Sequence, residues 1–346
     1  MKKFLKILFL MIVYIAITLI ILIKMDYIHI EYIAPKKDIN EYINNGLNLD
    51  DETLNISKWK EDRFYYNQLS VAAKIIYDKI LENKENLKTG TEEIKFSKNE
   101  FDEILKNENG MQILSTEYQN AVDSIRYDNM DLFYVDFTKM ALRAVTYTRG
   151  NKKTYEVYLA PMENAENYLE DYVQSQEIDT MLSKIENKSE KILENAKGTN
   201  YQKIQYIHNW LIDNIKYDIT YSSNNTRNIY GALIEKEVVC EGYSKAFKYL
   251  LDKLEIPCII ISGQAINSEN EKENHMWNYV QINGIWYAVD VTWDDPIILN
   301  GNELSDESRY KYFCQGDNIN ENHFVANKIT ENGQEFIYPE LYHKGE

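Results

Sequence analysis

Cysteine is scarce in this chain, with three in 346 residues. An odd handful of thiols cannot serve as a disulfide framework, so the fold must rest on an apolar core. The 44% of apolar residues supply the material for one. Neither a CxxC pair nor an HExxH segment occurs, which removes the common zinc-hydrolase arrangements. No metal and no cofactor is expected. Basic residues are also in short supply, 38 against 55 acidic, for a net charge of −17. Phosphate binding needs a basic face, so nucleic acid is excluded as a partner. Internal repeats and low-complexity segments are absent. The 28 tyrosines follow a general bias toward Ile, Lys, Asn and Tyr and mark no binding platform by themselves.

The N-terminus holds a long apolar run. Ile7 to Ile23 carries no charge, and counted from Phe4 the run is 20 residues, about 30 Å as a helix and enough for a bilayer core. Lys2, Lys3 and Lys6 precede it, which keeps the N-terminus cytoplasmic and sends the bulk of the chain outward. No small-residue cleavage pattern follows at Lys24-Met25-Asp26, so the run reads as an uncleaved single-pass anchor rather than a signal peptide. Residues 1–25 are thus a cytoplasmic stub and membrane anchor, and 26–60 a polar linker. An α+β module of unknown role spans 61–175, and a second domain spans 176–346.

In the module, Ser70 is placed to cap a helix with Ala72, Ile75, Ile76 and Ile80 on one face, and Ser97–Glu100 has the form of a capping box. Three β-type runs follow at 132–137, 141–148 and 153–160, the last two joined by a turn at Arg149–Lys152. A long helix is expected over about 167–196, broken at Gly198. Thr199–Gln202 forms a second capping box, before a helix with Ile204, Ile207 and Leu211 on its stripe. His208 falls off that stripe and reads as an exposed helical histidine.

The remaining pattern carries chemistry. Cys240 stands at the start of a helix whose Tyr243, Ala246, Phe247, Leu250, Leu251 and Leu254 form one buried face, with Pro257 as its stop. A buried strand follows at 258–263. The positive end of the helix dipole and its unpaired N–H groups favour a thiolate at Cys240, and the thiolate is the nucleophilic form. Gly242 is read as keeping the surface beside it open. A bridge between Cys258 and Cys314 would leave Cys240 unpaired, but Cys258 reads more simply as a small core residue. Further on, Asn283-Gly284 separates two alternating runs, a strong hairpin signal. With that turn, paired residue numbers sum to 567, and His275 and Asp290 become diagonal neighbours on one face, roughly 7–8 Å apart at the backbone. A carboxylate there holds an imidazole in one tautomer and stabilises its protonated form. Cys, His and Asp together are the parts of a thiol acyl-transfer site.

The sequence Cys240-Glu241-Gly242-Tyr243-Ser244-Lys245-Ala246-Phe247, then His275-Met276-Trp277-Asn278, then Gly284 through Trp286, Asp290, Thr292 and Trp293 to Pro296 resembles the transglutaminase-like superfamily, most of all its bacterial members. The likeness covers about 201–296. It implies an α+β, papain/transglutaminase-like core in 176–346, a helix with the nucleophile packed on an antiparallel sheet. It also implies Cys240 as nucleophile, His275 as general base and acid, and Asp290 as the group that orients the ring. The papain-type glutamine before the nucleophile is missing, since Leu233 and Ile234 stand there. Tyr217 and Tyr230 are the candidate side-chain donors to an oxyanion. Calcium sites of the animal enzymes do not carry over, and Asp294 and Asp295 read as hairpin-end solvation and structure. The implied function is thiol-dependent acyl transfer on amides of proteins or peptides at the cell surface, by transamidation or hydrolysis. An inactive envelope scaffold and a cysteine peptidase are the alternatives.

Overall fold

A computed structural model describes residues 8–9, 11–15, 18, 28–33, 63–267, 269–295, 306–331 and 333–343. Most of the expected anchor and linker, and Pro296, lie outside these residues. Among the described residues no helix is long and apolar enough to cross a membrane. The chain divides into two units, the first Met1–Ser57, Ser70–Gln119 and Asp136–Tyr168, the second Lys58–Leu69, Asn120–Val135 and Leu169–Glu346.

The first unit is built on an antiparallel sheet in the order β1-β3-β4-β2, with β1 Ile28–Ile33, β2 Ile94–Lys95, β3 Met140–Arg149 and β4 Lys152–Pro161. β3 and β4 form the expected hairpin. Arg149 pairs with Lys152, and Gly150 takes the left-handed conformation that the tight turn requires. β1 lies where a linker was expected and pairs with β3 from Ile28↔Tyr147 to Ile33↔Leu142. Helix α1, Val71–Glu82, begins at Ser70, whose side chain accepts from the Ala73 N–H at 3.1 Å. Only half of the box at Ser97 forms. Glu100 reaches back to the Ser97 N–H at 2.8 Å, and the four-residue helix that follows starts at Asp102. Helix α2, Gly110–Asp128, begins in this unit and runs from Asn120 in the second.

The second unit corrects two expectations. Residues 132–137 do not form a strand. A short 3-10 turn occupies Met130–Leu132, and only Val135 bridges, to Leu169. The helix expected from 167 begins instead at Ile178, as α3, Ile178–Leu193. α4, Asn200–Asn214, opens on the complete Thr199/Gln202 capping box. A two-residue parallel ladder, β5 Lys216–Tyr217 with β6 Glu237–Val238, leads into α5, Cys240–Lys253. The helix stops before Pro257, where Glu255 takes a left-handed φ of 56°.

α5 packs on an antiparallel sheet in the order β10-β7-β8-β9, with β7 Cys258–Ile266, β8 Lys272–Ile282, β9 Ile285–Val289 and β10 His323–Val325. Tyr243, Ala246, Phe247, Leu250 and Leu251 are fully buried on the face of α5 that the spacing singled out. At about 1.5–3 kcal/mol for each large apolar side chain removed from water, this stripe is what seats the helix. Asn283 and Gly284 both have positive φ, 52° and 85°, as a two-residue hairpin turn requires. The ladder runs from Ile282↔Ile285 to Asn278↔Val289, the expected register.

Candidate active site

Cys240 is the first residue of α5 and is partly exposed. Its position is fixed from both sides. Upstream, the Asp218 N–H bonds the Val238 carbonyl at 3.0 Å and the Val239 N–H bonds the Thr226 carbonyl at 2.9 Å. Downstream, the first turn packs so closely that a Cβ on Gly242 would lie 2.4 Å from the Val238 Cβ. Gly242 is therefore a close-approach residue, and its role is not to keep a surface open. No side chain caps the helix, and the Gly242 and Tyr243 N–H groups of its first turn both bond the Val239 carbonyl, at 2.9 and 3.2 Å.

β8 delivers His275 and the end of β9 delivers Asp290. Regular pairing stops at Val289 because the Asp290 N–H turns to the Tyr312 carbonyl at 3.1 Å. Asp290 still meets its expected neighbour, with Oδ2 2.6 Å from His275 Nε2. The Cys240 thiol lies near the same ring and is one of the influences on its pKa. Burial by itself would push the pKa of His275 down, but the charge and hydrogen bond of Asp290, with the nearby Cys240 thiol behind them, outweigh it and raise the pKa. Burial of Asp290 is likewise outweighed, by the His275 charge and bond and a bond from His323, so its carboxyl stays well below the usual range. The arrangement stabilises an imidazolium next to a thiol.

His323, which the sequence did not single out, completes the surroundings of Asp290. Its Nε2 lies 3.1 Å from Asp290 Oδ2 and its Nδ1 2.7 Å from Asn322 Oδ1. Asp290 Oδ1 accepts the N–H groups of Thr292 at 3.0 Å and Trp293 at 3.1 Å. Trp293 stacks on His275 with ring centroids 4.8 Å apart, and Trp277 and Trp293 meet His323 edge-on at 4.9 and 4.7 Å. One ligand atom each from His275, Asp290 and His323 lie within 4.8 Å of one another, a donor set that a divalent ion can use. Here those atoms hydrogen-bond each other. A metal would take the Nε2 of His275 away from Asp290, so the two uses exclude each other.

Of the two tyrosines considered as oxyanion donors, Tyr217 is brought toward the thiol. It pairs with Val238, two residues before Cys240, and after burial the nearby Cys240 sulfur is the next influence holding its pKa up. Tyr230 is drawn elsewhere. Its hydroxyl lies 3.4 Å from Lys184 Nζ, and its ring stacks on Phe133.

Two further expectations are corrected. His208 is fully buried rather than exposed, and its Nε2 lies 3.0 Å from Oδ2 of Asp294, which is fully buried as well. Its off-stripe position faces the 290–295 turn rather than solvent, and its ring lies against Tyr310 and Phe313. Asp295 accepts from the Tyr243 hydroxyl at 2.6 Å. Both acids are structural, as expected, but neither solvates a hairpin end.

Burial pushes Asp294 and Asp295, and likewise Asp128, up to about 6. For such groups the folded state holds protons that the unfolded state has already released. Their contribution is therefore complete below the unfolded carboxylate range and is lost as pH rises toward 6, at up to about 1.4 kcal/mol per pH unit for each proton. His275, also raised, acts in the same direction at higher pH. Asp290, depressed, costs stability only as pH falls through the ordinary carboxylate range. The urea midpoint is expected to be higher near pH 4.5 than at pH 7, and Asp295→Asn should narrow that gap. Midpoints that rise steadily from pH 4.5 to 7 would contradict this assignment.

The family model described as "Transglutaminase-like superfamily" matches residues 187–291, a span that contains Cys240, His275 and Asp290. The chain is similar to human "Kyphoscoliosis peptidase", 22% identical over 165 residues, covering 45% of this chain and 24% of that protein. It is similar to the mouse protein of the same name, 23% identical over 107 residues, covering 28% and 16%. The chain thus spans about a quarter or less of these curated relatives. Among solved structures it is similar to "Crystal structure of a TGase", with a TM-score of 0.31 and 15% identity, covering 50% of this chain and 48% of that one. It is also similar to a putative cysteine protease from Cytophaga hutchinsonii, with a TM-score of 0.27 and 16% identity, covering 45% and 58%. Residues 187–291 thus form a stretch that matches the transglutaminase-like superfamily.

Proposed function

We propose that the second unit carries out thiol-dependent acyl transfer on amides. The observation that supports this reading above all is the 2.6 Å bond from His275 to Asp290 on a ring whose pKa the nearby Cys240 thiol helps to raise. The Cys240 thiol gives its proton to His275, and the thiolate adds to an amide carbonyl. The N–H of Cys240, with Tyr217 as the proposed side-chain donor, receives the developing oxyanion. His275 returns the proton to the leaving amine as the C–N bond breaks, leaving a thioester on Cys240. An incoming amine then yields a new amide and water yields the acid, with His275 taking the proton from either. The human relative's name, a peptidase, brings in the water outcome for this chain. Substrates are proteins or peptides, and the apolar run at 4–23 is proposed to hold the site at the cell surface.

The test is alkylation of Cys240 by iodoacetamide in the full-length, detergent-solubilised protein at pH 6. Wild type is expected to react about 10–100 times faster than a free cysteine thiol, as thiols paired with an imidazolium do, and His275→Ala should remove the enhancement. A rate no higher than that of a free thiol would leave a scaffold that keeps the fold without the chemistry.

A further inference from the structure

Asp290 is shared. Most of what surrounds the Cys–His pair serves one histidine, yet the same carboxylate oxygen meets two, at 2.6 and 3.1 Å. We infer that His323 is a positioning residue for the acyl-transfer site, in which the second histidine holds Asp290 Oδ2 in line with His275 by donating to it from Nε2. This inference rests on the function proposed above.

The fold goes to some length to bring His323 there. β10 lies at the sheet edge, with β7 between it and β8. His323 pairs with Ala265 on β7, and His275 pairs with Gly263 on the same strand. β7 therefore presents only a methyl and a hydrogen at these two positions. At Gly263 even a Cβ would come within 3.0 Å of Trp277 Cη2. Over this low floor the two imidazoles approach to 5.7 Å between centroids. His323 is locked at its other nitrogen by Asn322 at 2.7 Å, and Tyr312 lies against it at 5.6 Å. A neutral packing residue would not need two polar contacts in a place 1% exposed, because burying a polar ring is favourable only when its hydrogen bonds are made.

The consequence lies in the geometry of Asp290. Its Oδ1 is fixed by two backbone N–H groups. With His323 also on Oδ2, the carboxylate has donors on both oxygens and cannot rotate without breaking a bond that no water replaces. Remove His323 and Oδ2 keeps only the His275 ring that it is supposed to aim. The other titratable groups that face this cluster are Cys240 at the start of α5, Asp294 in the turn after β9, and Tyr312.

The experiment compares full-length wild type with His323→Met and His323→Gln, following iodoacetamide alkylation of Cys240 at pH 6 and pH 9, with thermal melts in parallel. Met fills the space and cannot donate, whereas Gln places an N–H near the position of Nε2. The expected result is an enhancement at pH 6 that falls about tenfold in His323→Met and is largely retained in His323→Gln. The pH 9 rates, where a thiol is ionised without help, should agree among the three folded proteins. A purely structural role would lower the melting temperature and leave the ratio of the two rates unchanged. The inference is overturned if His323→Met keeps the wild-type ratio, or if His323→Gln loses as much as His323→Met. It is also overturned if the purified protein carries stoichiometric zinc that His323→Met releases, for then the cluster is a metal site. Wild type with no enhancement at pH 6 would overturn the proposed function itself. An enhancement abolished by His275→Ala but untouched by His323→Met would overturn this inference alone.

Discussion

Asp290→Asn is expected to lower incorporation of a tagged primary amine into acceptor protein, and hydrolysis of the same donor, by on the order of 10³–10⁴-fold, the scale of the corresponding change in a serine triad. Cysteine enzymes with Cys-His-Asn sites make this an unobvious expectation, because an asparagine can orient a catalytic histidine through its carbonyl oxygen. The surroundings of Asp290 remove that option. All four of its close hydrogen-bond contacts are donors, namely His275 Nε2, His323 Nε2 and the N–H groups of Thr292 and Trp293. An asparagine can turn its oxygen toward only one pair. If the oxygen serves the backbone, the amide N–H₂ confronts both rings, and His275 must take the tautomer that points a proton at the thiol. If the oxygen serves the rings, the N–H₂ confronts two backbone donors in a fully buried place. The measurement is initial rate normalised to the amount of Cys240 that can be alkylated at pH 9, so that misfolded protein does not count. A loss of less than about tenfold would mean that Asp290 does not orient His275. Cys240→Ser, run beside it, should give no measurable product.

The same donor count bears on how much of the site could be read from the sequence. The hairpin turn at Asn283-Gly284 alone set the register, and with it the meeting of His275 and Asp290, because a two-residue turn leaves no freedom in which residues face each other. The 3-1-3-1 spacing after Cys240 likewise marked the buried face of α5, because a helix has one dominant period. His323 left no such trace. It belongs to a three-residue strand at 323–325, too short for a period, and it reaches the site across β7 by a tertiary pairing between residues more than 50 positions apart. His208 was misjudged for a related reason. An off-stripe position on a helix is exposed only if nothing else packs on that side, and the 290–295 turn does. The aromatic run at 132–137 has β-type composition, but Leu132 closes a 3-10 turn begun at Met130 and the Asp136 N–H bonds the Tyr168 carbonyl, so local propensity gives way to tertiary context. Gly242 marks close approach rather than an open surface. A glycine next to a functional residue permits either, and only the neighbour's position, here Val238, decides between them.

The buried pair behind the site carries the second large expectation. His208→Leu is expected to destabilise the protein by about 3–5 kcal/mol at pH 7.5, the usual cost of leaving a buried charge without its partner, with a melting temperature lower by roughly 10 °C. Asp294 would keep the Tyr312 N–H at 2.7 Å on Oδ1 but lose the His208 contact at 3.0 Å on Oδ2, and no solvent reaches it. Because burial holds Asp294 at about 6, the carboxylate is charged at pH 7.5 and largely neutral at pH 4.5. The same substitution should therefore cost distinctly less at the lower pH. Adding Asp294→Asn to His208→Leu should recover more than half of the loss, since asparagine still accepts from Tyr312 and carries no charge to strand. Urea unfolding of the single and double variants at both pH values provides the check. Equal losses at pH 4.5 and 7.5, with no recovery in the double variant, would show that the cost lies in packing against Tyr310 and Phe313 and not in the charge. The distinction matters for chemistry because the Asp294 N–H bonds the Asp290 carbonyl at 3.2 Å, and Tyr312 bonds both residues. The turn that aims Asp290 is therefore held from behind by α4, and slackening it at His208 should weaken Cys240 alkylation at pH 6 while leaving the pH 9 rate unchanged.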